Sequence, residues 1–124
     1  MNWKNLHLWS SAAIVFFAGI GYGGNPSWFM QRFFGVLHLP LGSAHILRAI
    51  MGIYMGLAVF WLLGTWKEAY WRPATMSNVL FMAGLSMGRA VALFADGFLW
   101  DFAVALVLEV SYGLWGLHNL RKYA

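Results

Sequence analysis

Four long runs of apolar residues, separated by short breaks that carry polar residues, glycine or proline, set the pattern of this chain. They lie at roughly 6–24, 43–66, 74–95 and 99–119. A helix needs about 20 residues to cross the hydrocarbon core of a bilayer, so each run predicts a membrane-spanning helix. No soluble domain fits between them. The chain therefore reads as one transmembrane domain, 1–124, of the all-α class: an integral membrane four-helix bundle. The first run lacks a small-residue cleavage site after a short apolar region, and is expected to be a retained span.

The connection over 25–42, "NPSWFMQRFFGVLHLPLG", is the only long one. Asn25-Pro26 and Pro40 punctuate it. Trp28, Phe29, Phe33 and Phe34 alternate there with the polar Gln31 and Arg32. That mixture predicts a short interfacial helix between the first and second spans, lying on the outer leaflet. An aromatic loop tucked over the bundle is the competing form.

Composition confirms the solvent. Hydrophobic residues make up 61 % of the chain and charged residues 10 %, against roughly 45–50 % and about 25 % in soluble domains. A soluble protein of 124 residues cannot hide that much apolar surface, because its surface is large for its volume. A net charge of +4 would point a soluble domain toward nucleic acid. Here most basic residues stand at the ends of apolar runs, where they orient the chain in a membrane, and nucleic-acid binding has no other support. Cysteine is absent, which excludes disulfides, thiolate ligands and cysteine nucleophiles.

Four spans put both termini on one side, with the "KEAYWRP" connection. That side holds Lys4, Lys67, Arg72, Arg121 and Lys122; the opposite connections hold Arg32, together with Asp96 and Asp101. Basic loops stay in the cytoplasm, so both termini are expected there. Trp3, Trp66, Tyr70, Trp71 and Tyr123 crowd the same edge, as amphipathic rings do at headgroup level. Three spans also carry glycines four apart: Gly19 and Gly23, Gly52 and Gly56, Gly84 and Gly88. Such pairs occupy one helix face and let backbones approach, so all six are candidate packing residues for the bundle or for a homo-oligomer.

Charges inside the spans break the apolar pattern. "AGLSMGRAVALFADG" places Arg89 in the third span and Asp96 at its mouth; Arg48 enters the second span and Glu109 the fourth. At about 1.5 Å per residue both arginines come out in the outer half of the membrane, with Glu109 near the middle. A charge there costs from about 2.5 to well above 10 kcal/mol, so it faces the bundle and is paired. Arg48, Arg89 and Glu109 are expected to meet, with Asp96 or an anionic group from outside balancing the second arginine.

Three readings of the cluster stand side by side. It can be a clasp that fixes helix register. It can bind an anionic lipid headgroup or carboxylate through Arg48 and Arg89, with His45 one turn from Arg48 as a further donor; the planar arginine fork suits that task. Or Glu109 can act catalytically or carry protons.

The segments "HILRAIMGIYMGLAVFWLLG" and "GLSMGRAVALFADG", with a glutamate in the last span, resemble a bacterial family of small four-span membrane proteins known only as a domain of unknown function. The likeness runs from about residue 43 onward and rests on Arg48, Gly52, Gly88-Arg89, Asp96-Gly97 and Glu109. It implies the four-span fold and marks the charged residues, and it brings no established activity; with the basic asymmetry of the loops, a bacterial inner membrane is the expected location.

Other chemistry is thin. His7 and His118 lie near the same ends of the first and last spans, as paired haem ligands would, but no further ligand supports them. His38 and His45 flank Pro40 and lack partners for zinc. Phosphate loops, nucleophile elbows and zinc-helix motifs do not occur. No catalytic residue, metal or cofactor is assigned. The expected function is a non-catalytic accessory or scaffold subunit, or a binder of a lipid-like ligand, with membrane lipids and a larger membrane complex or homo-oligomer as the expected partners. The alternatives are a small transporter using Glu109 as its membrane-embedded carboxylate, and a membrane enzyme acting on a lipid or quinone.

Overall fold

The computed structural model describes residues 2–124. Among these, five helices follow in order: α1 (Trp3–Gly23), α2 (Pro26–Phe34), α3 (Leu41–Trp66), α4 (Glu68–Ala95) and α5 (Trp100–Tyr123). With 21, 26, 28 and 24 residues, α1, α3, α4 and α5 are each long and apolar enough to cross a membrane. The protein is an all-α, multi-pass bundle, as its four apolar runs predict.

Local chemistry accounts for the helix ends. Asn25 caps α2, its side chain accepting a hydrogen bond from the Trp28 N–H at 3.2 Å, and Pro26 takes the first helical position, where no N–H is needed. Gly35 closes the same helix in the left-handed conformation, φ 69°. Its N–H reaches the Gln31 carbonyl and the Val36 N–H reaches Met30, the usual glycine stop. Residues 25–35 thus form a short helix between two spans and not an irregular loop.

One span begins earlier than Pro73 implies. The α4 helix starts at Glu68 and carries Pro73 within it. A proline there removes the bond to the carbonyl four residues earlier. That carbonyl belongs to Ala69, which is exposed near the helix end and can be satisfied by water. A single extended residue, Lys67, separates α3 from α4.

The helices pack as two pairs, α1 against α3 and α4 against α5, joined chiefly through α3 and α4. Trp61 is fully buried, its indole N–H donating to Ser77 Oγ at 3.0 Å and its ring meeting Phe81 edge-on. Leu8, Ala12, Ala58, Trp71 and Ala74 complete this core near the termini. Trp71, expected among the interfacial rings, is instead buried: the Lys4 ammonium lies 4.8 Å from its ring centre, and its N–H points to the Lys4 carbonyl. Trp3, Trp66, Tyr70 and Tyr123 do stay exposed.

The three glycine pairs behave differently. A Cβ on Gly19 would come within 2.9 Å of Tyr54 Cβ, and one on Gly23 would collide with Met51 Cβ and sit 2.9 Å from the Leu47 carbonyl. This pair lets α1 lie against α3. Gly52, Gly56, Gly84 and Gly88 have open space where a side chain would begin, so within this chain they are not packing residues. Gly64, which belongs to no such pair, brings α3 close to α4: a Cβ there would come within 2.7 Å of Ala74 Cβ. Spacing marks a face that can be approached; it does not say which faces meet.

Candidate functional site

The connection between α4 and α5 sets the depth of the buried charges. Helix α4 ends at Ala95 with Asp96 as its cap, and Gly97, at φ 121°, turns the chain in a conformation open to glycine. The next helix starts at Trp100. Folding α5 back antiparallel brings residues equally far from Leu99 to the same level. Arg89 and Glu109 satisfy that symmetry, ten residues before and ten after it.

Arg89 Nε donates to Glu109 Oε1 at 2.6 Å. The two side chains are 18 % and 10 % exposed, so the pair is largely withdrawn from the surface. Beneath the guanidinium lies the Phe102 ring, 5.1 Å from Arg89 Cζ, and Phe34 of α2 stacks on Phe102 at 5.5 Å with its plane 7° away. Helix α2 is thus tied to the charged pair through one aromatic layer. A cation over a desolvated ring gains roughly 0.5–2 kcal/mol.

Arg48 does not join this pair. Its Nη1 donates to the carbonyls of Gly23 at 2.9 Å and Gly24 at 3.4 Å. Those groups end α1, where carbonyls lack helical partners and the helix dipole is negative. The expected meeting of Arg48 with Glu109 is therefore corrected: Arg48 caps α1. Asp96 is exposed, and His45 is exposed one turn before Arg48. Among the described residues the ion pairs are Arg89–Glu109 and Lys4–Glu68, so the four charges expected as a network divide into a pair, a cap and a carboxylate at the mouth. His45, Arg48 and Arg89 form no common cradle.

Beside the pair, α3 and α4 part to leave an open groove of about 960 Å³. Its walls include Leu47, Ile50, Gly84, Gly88 and Leu93, and Asp96 stands at its mouth. The same two helices touch closely at Gly64, so they diverge away from the termini. Arg89 is the one cation lining the groove, whose walls are otherwise almost wholly apolar. A volume near the top of the roughly 300–1,000 Å³ range of ligand pockets, apolar with few polar groups, is the form that binding sites take. A second cavity of about 190 Å³, between α1, α4 and α5, is lined by Glu109 and Tyr112 and shares Tyr22, Tyr54, Leu85 and Arg89 with the groove.

The chain matches, over residues 3–118, the family described as a domain of unknown function, DUF4345. It belongs to that family. No curated protein and no solved structure matches it.

Several residues around the site of this DUF4345 chain escape a linear reading. Tyr22, Tyr54 and Phe102 sit in apolar spans as unremarkable aromatics, and only the fold brings them to Arg89. His7 is fully buried, with Nε2 2.9 Å from the Tyr112 carbonyl. A carbonyl can only accept, so Nε2 carries the proton. His118, its proposed companion for haem, is exposed. The signal for His7 was present: it opens the stripe His7, Ser11, Val15, Gly19 and Gly23, every member of which is buried. Among the described residues, no three His, Asp or Glu side chains come together as a metal site.

Proposed function

We propose that this multi-pass membrane protein binds a lipid-like amphiphile in the groove between α3 and α4, with its polar end toward Arg89. The groove itself carries this reading: about 960 Å³ of apolar space with one charged pair at its inner edge. Hydrocarbon fills such space without leaving polar groups unsatisfied, and Arg89 gives the head of the guest a hydrogen-bond donor. In this reading both termini face the cytoplasm of a bacterial inner membrane, supported by the basic residues that flank them.

Gly88→Leu tests the proposal with little risk to the fold, because a side chain there meets open space. Native mass spectrometry of gently purified wild-type protein should show an amphiphile retained by the chain, and Gly88→Leu should lose most of it. Equal lipid retention by the two proteins would contradict the assignment.

A further inference from the structure

We propose that the amphiphile carries a small, uncharged head bearing a hydroxyl group, as in a diacylglycerol or a long-chain alcohol, seated against the Arg89–Glu109 pair. This rests on the lipid-binding reading of the groove. It departs from the anionic headgroup that two free arginines would have favoured.

The argument starts from the carboxylate. Glu109 Oε1 accepts from Arg89, while Oε2 is buried and has no hydrogen-bond donor among the described residues. A buried acceptor left unpaired is costly, so a guest that supplies a donor is favoured. The Arg89 guanidinium beside it is a donor with no accepting capacity. A hydroxyl meets both needs at once, donating to Oε2 and accepting from the guanidinium. Carboxylate and fully ionised phosphate heads can only accept, a singly ionised phosphate would bring its negative charge against Glu109 and Asp96, and an ammonium head would bring a second cation against the guanidinium.

Charge and space agree. The groove and its inner cavity hold one formal positive charge, Arg89, and two negative ones, Glu109 and Asp96. Arg48, which would have tipped that balance toward anions, is engaged by the end of α1. The inner cavity, about 190 Å³ against about 960 Å³ for the groove, is the smaller of the two spaces and suits a small head. Tyr22 and Tyr54 line both spaces, so phenol groups accompany the path from apolar groove to polar cavity.

The test uses the full chain in phosphatidylcholine nanodiscs. Photoactivatable diazirine analogues of diacylglycerol, phosphatidic acid and a long-chain amine are added separately at equal mole fraction, and labelled peptides are mapped by mass spectrometry. Diacylglycerol should label residues 80–102 about tenfold more than either other probe, a difference of about 1.4 kcal/mol. Glu109→Gln frees Arg89 and should turn the preference toward phosphatidic acid. Asp96→Asn, at an exposed position, should raise phosphatidic acid labelling several-fold even if the Glu109 variant does not fold. Equal or stronger wild-type labelling by phosphatidic acid or the amine overturns the hydroxyl head while leaving lipid binding intact. Labelling of residues 80–102 no stronger than that around the open Gly52–Gly56 face, with every probe, overturns both.

Discussion

The two ends of the bundle solve opposite problems with the same helices. Near the termini, α3 and α4 touch at Gly64 and Ala74, Trp61 and Leu8 are fully buried, and Lys4 reaches across to Glu68. At the other end the helices part, Gly84 and Gly88 face open space, and Phe94 is 94 % exposed. In lipid, apolar side chains gain little by leaving the solvent, so close packing and hydrogen bonds hold helices together. The packed end has both. The open end keeps α1 against α3 through Gly19, Gly23 and Arg48, and α4 against α5 through the charged pair, but leaves apolar space for a guest between α3 and α4. Glycine serves both ends, at Gly64 by allowing contact and at Gly88 by leaving room.

Mutations should separate the ends by size of effect. Trp61→Ala should be the most damaging, at about 3–5 kcal/mol, because it removes a fully buried ring and the bond to Ser77. Phe94→Ala should stay within about 0.5 kcal/mol. Unfolding of the purified variants in mixed micelles checks both, and comparable losses would erase the distinction between the ends. Glu109→Ala comes next, at roughly 3 kcal/mol, since it leaves Arg89 buried without its partner. Asp101→Asn, at an exposed position in the first turn of α5, should change stability by less than about 0.5 kcal/mol.

Glycine replacements sharpen the contrast further. Gly64→Ala and Gly116→Ala should each cost about 1–3 kcal/mol through overpacking, against Ala74 in the first case and the His7 ring and Val79 in the second. Gly52→Ala and Gly56→Ala should be neutral or gain up to about 1 kcal/mol from helix propensity, having nothing to strike. The same unfolding measurements decide; a cost at Gly52 or Gly56 would instead reveal a contact between copies of the chain. Lys4→Ala should cost less than Glu109→Ala, below about 1 kcal/mol, because Glu68 is 75 % exposed and can be hydrated.

How far the sequence anticipates this molecule follows from the range of each interaction. The spans were legible because each is a property of its own run of residues. The depth shared by Arg89 and Glu109 was nearly so, since a tight connection at Gly97 fixes the register of one hairpin. Arg48 was not, because its partners are α1 carbonyls, and a carbonyl has no signature in the residue pattern. Trp71 read as interfacial for a similar reason: burial by Lys4 requires knowing that α1 lies over it. The groove was the least legible feature. It depends on where α3 and α4 separate, and the glycine pairs mark faces that can close without saying that Gly84 and Gly88 remain open.

The double variant Gly84→Leu/Gly88→Leu tests the division between the ends most directly, with bound lipid and thermal unfolding measured on the same preparation. Both side chains enter open space on the groove wall and touch none of the packed end. Bound amphiphile should disappear while intrinsic stability, compared after both proteins are stripped of lipid, stays within about 1 kcal/mol of the wild type. Retention of the lipid at wild-type level, with the bundle folded, would contradict the account: the groove would then be ordinary lipid-facing surface and Arg89–Glu109 no more than a clasp.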